Sequence, residues 1–325
     1  MKRVCYTLLL VSIAASWVYA QDVRVHDPVM IKHGNTYYLF CTGMGISVFS
    51  STDLQHWKPE KAVFDLPPSW AVKAVPGFKG HIWAPDISFY NGLYYLYYSV
   101  SAFGKNTSCI GVATNKTLDP QDKDFHWTDH GKVIESVPGR DLWNAIDPNL
   151  ILDDQQNPWL AFGSFWSGIK LVKLNKDLTA IARPEEWYTI SKRDRSFKTP
   201  DAQGGDAAVE APFIFKKNNY YYLFVSFDFC CKGVNSTYKI AIGRSDKIQG
   251  PYVDKAGMRM DEGGGTILLK GNASWPGLGH NAVYTMDGKD YLVFHAYDAS
   301  DNGKPKLKII QMQWDDQGWP IASIE

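Results

Sequence analysis

Five residues able to handle protons or bind ions stand in five similar stretches of this 325-residue chain. They are Asp27 in "VHDPVM", Asp86 in "WAPDIS", Asp147 in "AIDPNL", Glu210 in "VEAPFI" and His280 in "GHNAVY". Successive spacings are 59, 61, 63 and 70 residues. Four carboxyls and an imidazole are the side chains of general acid and base chemistry. Glu210 is the least ordinary of them, because it interrupts an apolar run that leads into the aromatic stretch "NNYYYLFVSF". An ionised carboxylate in such surroundings is costly unless it is paired or its pKa rises. Asp27-Pro28 and Asp147-Pro148, taken singly, read as turn markers. Glutamate is not a favoured turn residue, and the recurrence of the pattern favours function.

The elements that must position these residues recur with them. Each unit opens with a short strand, turns at Gly or Asn ("HGN", "YNG", "MDGKD") and continues into an aromatic strand. A third strand follows: "ISVFSSTD", "CIGVATNKT", "IKLVKLNKD", "YKIAIGRSD" and "KLKIIQMQW". Long amphipathic helical patterns are nearly absent. Five such units predict an all-β chain folded as a five-bladed β-propeller. Two β-sandwiches would leave the repeated opening motif unexplained. If each opening strand is innermost, Asp27, Asp147 and Glu210 converge at the channel mouth and His280 points into the channel.

The rest of the chain narrows the class. Residues 1–20, with Lys2, Arg3, an apolar stretch and Val-Tyr-Ala, have the pattern of a secretory leader. This predicts an exported protein, periplasmic or extracellular, with residues 21–325 as a single propeller domain and no appended module. Without Lys2 and Arg3 the 34 basic residues become 32, against 34 acidic. That balance carries no footprint for nucleic acid or an anionic membrane, and a monomer is expected. Beyond the leader, Cys41, Cys109, Cys230 and Cys231 are too few for a disulfide scaffold. The adjacent pair lacks zinc-ligand spacing, so buried free thiols are expected. Asn106, Asn115, Asn235 and Asn272 begin glycosylation sequons.

Glycoside hydrolysis would use such a carboxyl set. One acid protonates the leaving oxygen while a carboxylate, roughly 6.5–9.5 Å away in inverting enzymes, activates water. A third carboxylate beside the acid raises its pKa.

The motifs "VHDP", "HIWAPDI", "NAIDPNL", "GSFWSGIKL", "VEAPFI" and "GHNAV" resemble the arabinanases of glycoside hydrolase family 43. The resemblance runs from about Val25 to Trp319. It implies inverting hydrolysis of α-1,5-linked L-arabinofuranosyl chains, with arabinan and arabino-oligosaccharides as partners and endo cleavage as the expected mode. By motif, Asp27 is the general base, Glu210 the general acid, and Asp147 the residue that raises the pKa of Glu210 and orients it. Trp83, Phe103, Asn149 and Ser164 match cleft-facing positions. Asp86 is divided between structural bonding and substrate contact. His280 resembles a ligand of a channel metal, calcium, held largely through waters; no organic cofactor is implied. His295 is a weaker candidate, with core packing preferred.

Rival readings are an exo-acting arabinanase, a related propeller β-xylosidase or α-L-arabinofuranosidase, and a carbohydrate-binding propeller without turnover. A protein-interaction propeller has no use for three converging carboxylates. Loops 67–80 and 191–205 are the stretches expected to open or block the cleft.

Overall fold

The computed structural model describes residues 18–324. The predicted leader lies outside them except for its last three residues, which begin the first strand. In chain order the elements are β1 (Val18–Arg24), β2 (Val29–His33), β3 (Thr36–Cys41), β4 (Gly43–Met44), β5 (Ser47–Ser51) and β6 (Lys58–Glu60). A short helix, α1 (Ser69–Ala74), precedes β7 (His81–Tyr90), β8 (Leu93–Val100), β9 (Ser108–Asn115) and β10 (Thr128–Ser136). Next come β11 (Asn149–Leu152), β12 (Pro158–Phe162), β13 (Ile169–Lys173) and β14 (Trp187–Ser191). They are followed by β15 (Val209–Lys217), β16 (Tyr220–Phe227), β17 (Lys239–Ser245) and β18 (Thr266–Lys270). The last blade holds β19 (Leu278–Met286), β20 (Lys289–Asp298) and β21 (Lys304–Gln311), before a small hairpin of β22 (Gln313–Trp314) and β23 (Pro320–Ile321).

Apart from the β22–β23 hairpin, these strands form five antiparallel sheets. Blades one to four are β2-β3-β5-β6, β7 to β10, β11 to β14 and β15 to β18, with β4 added on the inner edge of blade two. Blade five takes its outer strand from the other end of the chain, β1 pairing antiparallel with β21. The ring is closed by that pairing.

Alternation explains how the blades stack. The run "LYYLYYSV" of β8 is buried on both faces except at Leu93. Successive side chains point opposite ways, so Tyr94, Leu96 and Tyr98 pack towards Val29 and Phe40 of blade one. Tyr95 and Tyr97 pack towards Leu150 and Leu160 of blade three. Equivalent apolar layers lie between blades three and four, four and five, and five and one. Five interfaces for five blades make a closed β-propeller. The aromatic residues of the second strands are mainly core.

Two expectations change. Cys41 and Cys109 are free and buried, but Cys230 and Cys231 are joined in a vicinal disulfide. The reason is local: both lie in the loop after β16, with Cys231 exposed and its backbone in the left-handed region at φ 64°. Of the sequon asparagines, Asn106 and Asn115 are buried and so closed to a glycan in the folded chain, whereas Asn235 and Asn272 are exposed.

Candidate active site

A kink in each inner strand aims the site residues. Asp27, Ala84, Asp147, Ala211 and His280 all have positive φ, between 44° and 58°. Each is followed by proline except His280, which is followed by Asn281. These five, rather than the five first aligned by spacing, are the equivalent positions. Glu210 therefore lies one residue before its blade's kink and Asp86 two residues after.

At four kinks the backbone N–H donates to a side chain of the preceding blade. Asp27 donates to His295 Nδ1 (3.1 Å), Ala84 to Thr42 Oγ1 (2.9 Å), Asp147 to Ser99 Oγ (2.9 Å) and His280 to Ser226 Oγ (2.8 Å). In blade three the acceptor's position is Gly163, whose N–H pairs with Ile146 as Thr42 pairs with His26. With no side chain there, the N–H of Ala211 donates instead to Asp147 Oδ2 at 3.1 Å. The missing acceptor at Gly163 thus draws Asp147 across to the strand that carries Glu210. A side chain at Gly163, where φ is 132°, would run into the Gly168 carbonyl oxygen.

Asp27, Trp83, Phe103, Asp147, Ser164, Glu210 and His280 all line one cleft of about 1130 Å³. That volume is at the upper end for small-ligand sites and has room for more than one pentose. Ser164 donates to Glu210 Oε2 at 2.7 Å. Phe103 is 81% exposed at the rim. Asp86 and Asn149 do not line the cleft. Asp86 accepts from the N–H of Leu150 (2.8 Å) and from Asn149 Nδ2 (3.3 Å), while Asn149 Oδ1 accepts from the N–H of Ile214 (2.8 Å). Two residues past the kink the strand has turned from the mouth into the blade interfaces, so these groups tie blades two, three and four together. Loop 191–205 reaches the cleft through Gly204 and Gly205, but loop 67–80 contributes nothing to its lining. Trp70 of that loop bonds Asp129 on the outer strand of blade two instead.

The carboxyls are driven apart electrostatically. Burial alone would raise Asp27, but His26 and His280 outweigh it and hold the carboxyl well below its ordinary range. Oδ1 lies 2.7 Å from His26 Nδ1 and 3.1 Å from His280 Nδ1, and Oδ2 accepts from Thr42 at 2.6 Å. Burial would neutralise His280, yet Asp27, then Asp147 and Glu210, lift it to about 9. Asp147 is pushed to about 8 by burial, with repulsion from Glu210 and Asp27 opposing the pull of His280. Burial also raises Glu210, although hydrogen bonds from Ser164 and Tyr238 pull it back. The inner pair therefore retains a proton at neutral pH while Asp27 is ionised. An anionic base and a protonated acid on one cleft are what acid–base hydrolysis requires.

Among the described residues His280 joins no trio of converging imidazole, thiol or carboxylate donors. Its neighbour Asn281 has both amide atoms buried without partners. One imidazole and one amide suit a cation that keeps most of its waters, and are too few oxygens for a protein-caged calcium. Sequence reading missed His26, Thr42, Tyr238 and Tyr297; only His26, beside Asp27 in "VHDP", carried a visible signal. His295 is fully buried with Nδ1 bonded, in keeping with core packing.

The model of the family described as Glycosyl hydrolases family 43 matches residues 21–320. An extracellular exo-alpha-(1->5)-L-arabinofuranosidase, ArbA, of Cellvibrio japonicus is 56% identical, over 96% of this chain and 89% of that protein. An extracellular endo-alpha-(1->5)-L-arabinanase of Bacillus subtilis is 48% identical, over 94% of this chain and 90% of that protein. The structure of Cellvibrio cellulosa alpha-L-arabinanase complexed with arabinohexaose superposes with a TM-score of 0.91 at 56% identity. It covers 93% of this chain and 96% of that one.

Proposed function

This chain belongs to glycosyl hydrolases family 43 and is a glycoside hydrolase, and from that premise we propose that it cleaves the α-1,5-L-arabinofuranosyl linkages of arabinan with inversion. The observation that carries the mechanism is the opposite displacement of two carboxyls on one cleft, Asp27 downwards and Glu210 upwards. Asp27 takes a proton from a water as that water attacks the anomeric carbon. Glu210 gives its proton to the departing glycosidic oxygen. Asp147 keeps that proton in the pair by repulsion, and its bond from Ala211 fixes its distance from the acid's strand. Ser164 orients Glu210, and Trp83 and Phe103 offer ring faces to furanose units.

A cation, calcium by expectation, would be held by His280 in its neutral form with Asn281 nearby, and would supply in the channel the positive charge that the protonated imidazole carries without it. Both relatives named above are called extracellular, which supports export beyond the cell envelope; cleavage after Ala20 would leave Gln21–Arg24 of the closing strand.

Endo action, expected from the sequence, has the Bacillus subtilis relative behind it, whereas the Cellvibrio japonicus relative carries the exo name. A product time course on linear α-1,5-arabinan separates the modes. A spread of intermediate lengths at early times supports endo cleavage. A single short product from the start means exo cleavage. No sugar released, with oligosaccharide still bound, would overturn the hydrolase reading in favour of a binding protein.

A further inference from the structure

One wall of the cleft carries a disulfide to which hydrolysis assigns no task. The Cys230–Cys231 disulfide lies on that wall, with Cys231 exposed and Cys230 half-buried. Cys231 Sγ is 3.7 Å from Nε2 of His26, a residue 205 positions away in the chain. The ligand atoms of His26, Cys230 and Cys231 all lie within 4.8 Å of one another. The other nitrogen of the same imidazole is 2.7 Å from Asp27 Oδ1. His26 therefore spans from the sulfur pair to the base.

Its hydrogen bonds put the one lone pair of the ring on Nε2, the nitrogen nearer the sulfurs. The N–H of Cys231 donates to the Tyr297 hydroxyl oxygen at 2.7 Å, and this places the phenol to give its own proton to His26 Nε2 at 2.8 Å. Nδ1 then carries the hydrogen bonded to Asp27. That lone pair accepts from a neutral phenol, and a cation takes it by displacing this one hydrogen bond.

The spacing fits tetrahedral coordination. Zinc–sulfur bonds of about 2.3 Å and zinc–nitrogen bonds of about 2.0–2.1 Å place the two atoms about 3.6 Å apart at the tetrahedral angle. The observed separation is 3.7 Å. Two thiolates on the same ion stand about 3.8 Å apart. The rearrangement required is the opening of the sulfur–sulfur bond, rotation of the two side chains and release of the Tyr297 hydroxyl from Nε2.

We propose that reduction of Cys230–Cys231 creates a site for a thiophilic divalent cation, with both thiolates and His26 Nε2 as ligands and water in the fourth position, and that the bound ion halts turnover. A dithiol reductant supplies the two electrons and leaves as its own cyclic disulfide, and the protein gains two thiols. The cation then displaces their two protons. Ligated at Nε2, His26 becomes a stronger donor to Asp27 through Nδ1, which lowers the basicity of the carboxylate while the ion occupies the cleft wall. Only this effect on turnover rests on the glycosidase reading; binding does not.

The test uses the full chain, oxidised or reduced with a dithiol that is then removed by gel filtration. Zn²⁺ uptake is followed by calorimetry and metal analysis, and Co²⁺ reports sulfur ligation through its charge-transfer absorption. Reduced protein should bind one ion with that absorption, oxidised protein none, and reduced Cys231→Ser should lose both. Arabinan cleavage should fall in step with occupancy and return on chelation. Equal uptake by oxidised and reduced chains, uptake unchanged by Cys231→Ser, or no uptake after reduction would each overturn the site. If Cys231→Ser does not fold, reduced Cys230→Ser and His26→Gln serve in its place under the same criteria. Binding without loss of activity would overturn the inhibitory half. If neither form cleaves arabinan yet reduced protein binds the ion, the site stands and the glycosidase reading falls.

Discussion

Replacing the inner carboxyl pair by amides, Asp147→Asn with Glu210→Gln, should remove a pH dependence of stability that the parent protein carries. Asp147 is displaced from its ordinary 3.8 up to about 8, and Glu210 is raised from 4.5. Both groups are more easily protonated folded than unfolded. Between about pH 5 and about pH 7 the unfolded chain has released protons of which the folded pair keeps at least one, so stability falls as pH rises. One proton held to about 8 is worth about 1.4 kcal/mol per pH unit across that window. Subtracting the residual protonation of the unfolded carboxyls leaves a loss of about 2.5 kcal/mol over the two units. The amide pair keeps its shape and an oxygen for the N–H of Ala211 but holds no titrating proton. Urea unfolding followed by tryptophan fluorescence should therefore give the double variant an advantage over the parent that grows by about that amount from the lower to the higher pH. An advantage that stays constant across the window would refute the retained proton, and with it the assignment of Glu210 as the acid.

Other outcomes follow from the same contacts. Turnover should fall at alkaline pH as the inner pair loses its proton, and Asp147→Asn should shift that limb to lower pH by removing repulsion; an unmoved limb in the kcat profile counts against the coupling. Glu210→Ala should lower kcat by about 10²–10⁴ with a thermal melt near that of the parent, and near-parental turnover would exclude it as the acid. Asp86→Ala should leave KM for arabino-oligosaccharides unchanged while the orphaned Leu150 N–H costs about 1–3 kcal/mol in denaturant unfolding. A raised KM at unchanged stability would return Asp86 to the substrate site. Thr42→Val strips a donor from Asp27 and an acceptor from Ala84, so the acidic limb of kcat/KM should move to higher pH; a limb that stays put would mean Thr42 does not tune the base.

Much of the ring was legible because its period is written in short motifs. Every third strand marked by the sequence is present, from Ser47–Ser51 to Lys304–Gln311. The register of the openings was misread by one or two residues. Aligning acids by spacing paired Glu210 and Asp86 with Asp27, whereas the chain aligns on the residue before proline. Pro28, Pro85, Pro148 and Pro212 held that signal, and it places Asp86 with Asn149 on the blade interfaces. The partners of Asp27 could not be read in the same way. His295 and Tyr297 come from β20, whose approach is decided by ring closure, and Thr42 from the end of the neighbouring strand β3; no local pattern distinguishes them from core residues. The disulfide was hidden for another reason, since pairing of adjacent cysteines depends on the conformation of one loop.

The seam of the ring also decides when the protein can work. Asp27 follows β1 by three residues, and its backbone is fixed by His295, while His26 beside it is fixed by Tyr297. The backbone of the proposed base is therefore held by the part of the chain made last. Thr42 of blade one holds one carboxylate oxygen of Asp27, but the acceptor for its backbone and the phenol beside His26 both belong to blade five. The alignment of the proposed base is completed only where the last blade meets the first. A chain cut short of residue 295 should therefore lose turnover, because the backbone of Asp27 loses its acceptor.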